Sequence, residues 1–136
     1  MAQVEHYQTS NILIIDDEPA NVLLLQSIFE ASGYTRIKTT IDPRQVTSMV
    51  AMFEPDLILL DLHMPKKDGF EVLEWLRSSP DFRRIPACVL SGHDYPPYKD
   101  RAIGLGAREF YPKRADVGEF TELVRGICDK WLQPRV

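Results

Sequence analysis

The chain has 136 residues, with 16 Lys and Arg against 20 Asp and Glu, a formal net charge of −4 and 44% hydrophobic residues. That is one domain's worth of chain, and its acidity leaves no room for a nucleic-acid-binding domain built on overall charge. The two cysteines, Cys88 in an apolar run and Cys128 in a periodic one, form neither a disulfide framework nor a zinc spacing and read as reduced core residues. No apolar stretch is long enough to span a membrane and the first ten residues do not resemble a signal peptide, so the expectation is a cytoplasmic protein without membrane association.

Residues 1–10 read as a flexible N-terminal segment. The first apolar run, Ile12 to Ile15, stops at Asp16 and is short enough to be a buried parallel strand. Pro19 then opens a helix marked by Val22, Leu25, Ile28 and Phe29 and stopped by Gly33. A weaker strand spans Arg36 to Thr40. Asp42 and Pro43 form an N-cap and first-turn pair for a second helix carrying Val46, Met49, Val50 and Phe53 and ending before Pro55. Met49 and Met52 are helix residues without a metal role.

A second buried run, Leu57 to Leu60, ends at Asp61, and the helix after it carries Phe70, Leu73 and Leu76 and stops by Pro80. Ala87 to Leu90 is the third run, ending at Ser91. Pro96 and Pro97 can only begin a helix and Gly104 lies within what remains, so the fourth helix should be short, late-starting and mobile. A strand at Glu109 to Tyr111 precedes the clearest helix, whose broad apolar face comprises Val117, Phe120, Leu123, Val124, Ile127, Cys128 and Trp131. Five βα units require an α/β fold: a mostly parallel sheet with right-handed crossovers and helices on both faces. The domain is expected over residues 11–132, with 133–136 as a natural tail or the cut edge of a linker.

In such sheets ligands bind at the carboxyl ends of the strands. Asp16, Asp17 and Glu18 follow the first strand, Asp61 the third, Ser91 the fourth, and Lys113 comes soon after the fifth. Carboxylates suit a hard divalent cation, and a hydroxyl and an ammonium suit the oxygens of a phosphoryl group. Each of these residues could singly be a strand end or a helix cap. Together they form a self-repelling acidic cluster, best understood if a cation sits in it.

The segments ILIIDDE (Ile12 to Glu18), PDLILLDLHMPKKDGFEVL (Pro55 to Leu73), CVLSG (Cys88 to Gly92) and GAREFYPK (Gly106 to Lys113) closely resemble the receiver domain of bacterial two-component response regulators, and the resemblance runs from about Asn11 to Trp131. It implies a five-stranded parallel (βα)5 sheet of flavodoxin-like order 2-1-3-4-5. It also implies that Asp61 accepts a phosphoryl group from the phosphohistidine of a sensor histidine kinase or a histidine phosphotransfer protein. Mg2+, with Mn2+ as substitute, would be held by Asp17, Asp61 and the carbonyl of His63, with Asp16 acting mainly through water. Ser91 and Lys113 would bind phosphoryl oxygens, Phe110 would be the aromatic switch, and Met64, Pro65 and Gly69 would shape the loop beyond the acceptor.

The resemblance further implies an output face made of the fourth helix, fifth strand and fifth helix. It would serve an output domain in a longer chain, a separate effector or a phosphorylation-dependent homodimer. His63 and His93, two residues past Asp61 and Ser91, would flank water's path to the acyl phosphate and make its hydrolysis pH-dependent, slower below about pH 6 than at pH 8. Arg114 stands where receivers carry a proline after the lysine, so a trans Lys113–Arg114 bond with a displaced loop, or a strained cis one, is expected.

Two other readings compete. A Mg2+-dependent phosphohydrolase with an aspartyl nucleophile would want an acidic residue two positions beyond Asp61, where His63 stands, and a cap for which the chain is too short. A pseudo-receiver that only binds would have no need of the acidic cluster. Arg83 and Arg84, and the group Lys99, Arg101 and Arg108, supply local positive charge that could meet an acidic partner, while Lys66 and Lys67 read as a solvated loop.

Overall fold

A computed structural model describes residues 9–61, 69–91, 96–112 and 116–132. Its elements alternate throughout: β1 (Ile12–Ile15), α1 (Pro19–Ala31), β2 (Ile37–Thr40), α2 (Val46–Phe53), β3 (Leu57–Leu60), α3 (Gly69–Ser78), β4 (Ala87–Ser91), α4 (Pro96–Gly104), β5 (Glu109–Pro112) and α5 (Val117–Trp131). All four strand pairings are parallel, in the order β2-β1-β3-β4-β5. This is the flavodoxin-like (βα)5 arrangement. β2 and β5 are the edges.

The two-residue period of the strands divides the apolar interior into two cores. Leu13, Ile15, Ile58, Leu60 and Val89 face α2, α3 and α4, where they meet Val50, Phe70, Leu73, Leu76 and Ala102. Ile12, Ile14, Leu57, Leu59, Cys88 and Leu90 face α1 and α5, where they meet Leu25, Phe29, Phe120, Val124 and Ile127. β1, β3 and β4 are buried along their whole length, which is why they read as continuous apolar runs rather than alternating ones.

The helix ends follow local chemistry. Pro19 opens α1, where the missing N–H costs nothing, and after its last turn Gly33 takes a φ of +95°, a left-handed conformation that suits glycine. Asp116 caps α5, its side chain accepting from the Glu119 N–H at 2.9 Å.

Three expectations change. Asp42 and Pro43 do not lead straight into the second helix. A 3-10 turn over Pro43–Gln45 intervenes, fixed by the Arg44 N–H donating to Asp42 Oδ1 at 3.0 Å. The fourth helix does not start late: both prolines fit its first turn, and Gly104 is its last residue rather than an interior break. Val117 belongs to α5 but is 57% exposed, because the first turn after the Asp116 cap lies outside the arc carried by Phe120, Val124, Ile127 and Cys128.

Candidate functional site

The sheet register assembles the site. Ile15 pairs with Thr40 on one side and Leu60 on the other, so the next residues, Asp16 and Asp61, leave their strands level and adjacent. The backbone ladder continues one step further: the Asp16 N–H donates to Thr40 O at 3.1 Å, and the Asp61 N–H donates to Ile15 O at 2.9 Å. Both side chains are thereby fixed at the carboxyl edge of the two most enclosed strands. Asp16 is 2% and Asp61 6% exposed, and Asp17 is half-buried beside them.

Asp16 also shapes its own loop. Its Oδ1 accepts from the Glu18 N–H at 2.9 Å, an Asx-type turn that redirects the chain from β1 into α1. Asp16, Asp17 and Asp61 each present a carboxylate oxygen, and these three atoms lie within 4.8 Å of one another. Three hard oxygen donors so close fit a divalent cation of the Mg2+ or Mn2+ type, and they repel one another without one.

Ser91 is the last residue of β4 and is 1% exposed. Leu60 pairs with Val89, so Ser91 stands one step beyond the level of Asp61 on the neighbouring strand. Ser91 pairs in turn with Pro112 of β5. Phe110, opposite Val89, is half-buried against the core under α3 and α4, whereas the next residue, Tyr111, packs against the core under α1 and α5. Burial pushes the Tyr111 phenol above its usual value.

The structure thus brings Asp16, Asp17, Asp61 and Ser91 to one edge, with Phe110 two residues below the end of β5. Lys113, His63, His93, Met64, Pro65, Lys66, Lys67 and the Lys113–Arg114 bond lie outside the described residues. Gly69 is buried at the start of α3. Sequence reasoning missed the contact beside it: the Arg101 guanidinium of α4 lies 4.1 Å from the ring centroid of Phe70, whose ring also meets Tyr98 at 6.2 Å. The residue after Gly69 is therefore clasped by the fourth helix, a cation–π pairing that no sequence spacing announces.

A parallel five-stranded sheet with this strand order and an acidic cluster at its carboxyl edge defines a phosphoryl-accepting receiver domain of a two-component system. The profile of the response regulator receiver domain family matches residues 12–125, and the chain belongs to that family. It is 28% identical over 117 residues, 86% of this chain and 94% of the relative, to the polar-differentiation response regulator DivK of Brucella ovis. Among solved structures it is similar to the phosphorylated cyanobacterial phytochrome response regulator RcpA, with 29% identity, a TM-score of 0.84 and coverage of 94% of this chain and 97% of that one. It is also similar to the Mn2+-bound form of the response regulator Rcp1, with 28% identity, a TM-score of 0.81 and coverage of 93% and 97%.

Receiver domains work with histidine kinases or phosphotransfer proteins and catalyse at most their own phosphorylation and dephosphorylation, which sets aside the phosphohydrolase reading. Among the described residues no helix is long and apolar enough to cross a membrane.

Proposed function

We propose that Asp61 is the phosphoacceptor, taking a phosphoryl group from the phosphohistidine of a sensor histidine kinase or histidine phosphotransfer protein. The observation that carries this reading is the convergence of the Asp16, Asp17 and Asp61 carboxylates within 4.8 Å at the end of β1 and β3. Asp17 and Asp61 would hold Mg2+ directly, together with the carbonyl of His63, and Asp16 would act through water. Bound there, the ion supplies positive charge to the transferring phosphoryl oxygens.

The chain's own groups do the rest. Asp61 is the nucleophile: a carboxylate oxygen bonds to phosphorus as the bond from phosphorus to the donor's imidazole nitrogen breaks, and the imidazole leaves with that electron pair. Its burial between rigid strands fixes the line of attack. Ser91, on the neighbouring strand, would donate its hydroxyl proton to a phosphoryl oxygen, and Lys113 would pair with another. Drawing Ser91 toward that oxygen would bias Phe110 and the surface of α4, β5 and α5. Mn2+-bound Rcp1 and phosphorylated RcpA support the reading by similarity.

The test is intact-mass measurement after incubation with Mg2+ and acetyl phosphate. One phosphoryl group should appear on the wild type and none on Asp61→Asn. Labelling that persists in Asp61→Asn would move the acceptor elsewhere.

A further inference from the structure

The acidic edge occupies the carboxyl ends of the strands. At the opposite end, beside the starts of β4 and β5, a groove of about 320 Å3 runs between α3, the turn that follows it and the connection from α4 to β5. Its floor is apolar, formed by Leu76, Ile85 and Leu105, and its rim carries three exposed guanidinium groups, Arg77, Arg83 and Arg108. Among the described residues no carboxylate lines it.

The rim is organised rather than merely charged. Arg77 donates to the carbonyl of Gly104 and Arg108 Nη1 donates to the carbonyl of Gly106 at 3.4 Å. Arg77 is thus held at the carboxyl-terminal end of α4, where the helix carbonyls favour cations, and Arg108 at the turn just beyond it. The side chain of Arg77 also packs over Gly106, at 3.9 Å from where a Cβ would stand. A guanidinium has five N–H donors, so one carbonyl contact leaves the fork available for a carboxylate. The ion pairs among the described residues, Arg44 with Asp42, Arg125 with Glu122 and Lys130 with Glu109, use none of the three.

A triple positive rim on a chain of net charge −4 is a local exception to the field, and its apolar floor specifies the shape of what it meets. Nucleic acid fits poorly, because the floor offers aliphatic surface and the rest of the molecule repels polyanions. Carboxylates on the rim with a hydrophobic side chain on the floor match both features, since the arginine fork is complementary to carboxylate.

We propose that this groove docks an acidic segment of a partner protein, anchored by one aliphatic or aromatic residue on the floor and by carboxylates to Arg83 and Arg108. It lies at the far end of the sheet from Asp61, so the docked partner and a phosphodonor can be held together. The proposal stands whether or not Asp61 is the acceptor.

The experiment titrates the full 15N-labelled chain with a ten-residue peptide of Glu and Asp around a central Leu-Phe pair. A Lys-rich counterpart and an oligothymidylate serve as comparisons. Saturable amide shifts should cluster in residues 76–87 and 103–108, and the affinity should be the same with and without acetyl phosphate and Mg2+. Arg83→Glu with Arg108→Glu should weaken binding about tenfold or more, Arg83→Lys with Arg108→Lys much less, and Lys38→Glu on the β2 edge not at all. Circular dichroism checks that each variant is folded, and Arg83→Gln with Arg108→Gln serves if the Glu variant is not. Several results would overturn the proposal: no saturable shift at about 2 mM peptide, equal binding of the basic peptide, or tighter binding of the oligonucleotide. Shifts confined to another surface, or self-association lost in the Glu variant, would do so as well, the last by assigning the groove to a second copy of the chain.

Discussion

Replacing Asp17 by Asn should raise the melting temperature in chelator and remove its response to Mg2+. The carboxylate oxygens of Asp16, Asp17 and Asp61 lie within 4.8 Å of each other. Two unit charges at that spacing repel by about 3.5 kcal/mol at an effective dielectric constant near 20 and by about 0.9 kcal/mol in bulk water. Asp17 is half-buried, so the lower end of that range applies to each of its two neighbours, and neutralising it should relieve about 1–2 kcal/mol. For a domain of this size that is roughly 3–8 °C. Mg2+ at ten times its dissociation constant adds about 1.4 kcal/mol to the wild type, about 4–5 °C, and nothing to the variant. Thermal melts followed by circular dichroism, in EDTA and in MgCl2 at matched ionic strength, therefore place Asp17→Asn above the wild type without metal and close that gap with it. A variant that melts below the wild type in EDTA, or that keeps the full Mg2+ response, would refute the reasoning, because Asp17 would then support the fold rather than the ion.

Ser91→Ala should still be labelled at Asp61, but the amide shifts that a phosphodonor induces in β5 should be lost; full retention of those shifts would remove Ser91 from the switch. Burial pushes the thiols of Cys88 and Cys128 up to about 12 and about 11, so at pH 8 roughly one part in 10⁴ and one part in 10³ is thiolate. An aromatic disulfide reagent should therefore react with both only as fast as the chain unfolds. Because both values lie above the ordinary 9.0, the unfolded chain gives up these protons first. Their contribution to stability is complete below about pH 9 and falls away as pH climbs through about 11 to 12, which urea melts across that window measure. Asp116→Ala deletes the cap on Glu119 N–H and should cost about 1 kcal/mol in urea denaturation; no change would mean that α5 is held by packing alone.

The strands and the acidic edge were legible because each rests on one continuous signal. Ile12 to Ile15 and Leu57 to Leu60 are unbroken apolar runs, and each is followed at once by an Asp, where the apolar run stops although burial continues through Asp16 and Asp61. The α1 set Val22, Leu25, Ile28 and Phe29 is buried as its period requires. What escaped depends on contacts between distant segments or on the detail of a helix's first turn. Nothing in the run from Val117 to Trp131 shows that the first turn points outward. The prolines at the head of α4 read as an obstacle, although their fixed φ suits a first turn. Arg83 and Arg108 were singled out as local positive charge, but only the packing of α3 against the α4–β5 connection adds Arg77 and places an apolar floor between them. Arg101, grouped with Arg108 in sequence, lies instead over Phe70.

The sheet is open, and each of its two outer strands has a row of backbone groups that could recruit a further strand from another molecule. Both are only four residues long. β2 carries an exposed Lys38, so a copy docking there in register would set ammonium against ammonium. β5 ends in Pro112, which has no N–H to offer, and the Glu109 at its start is engaged by Lys130 of α5. The fully apolar strands are kept to the middle, and the flanks are short, charged or donor-poor. That distribution disfavours sideways addition of further strands to the sheet.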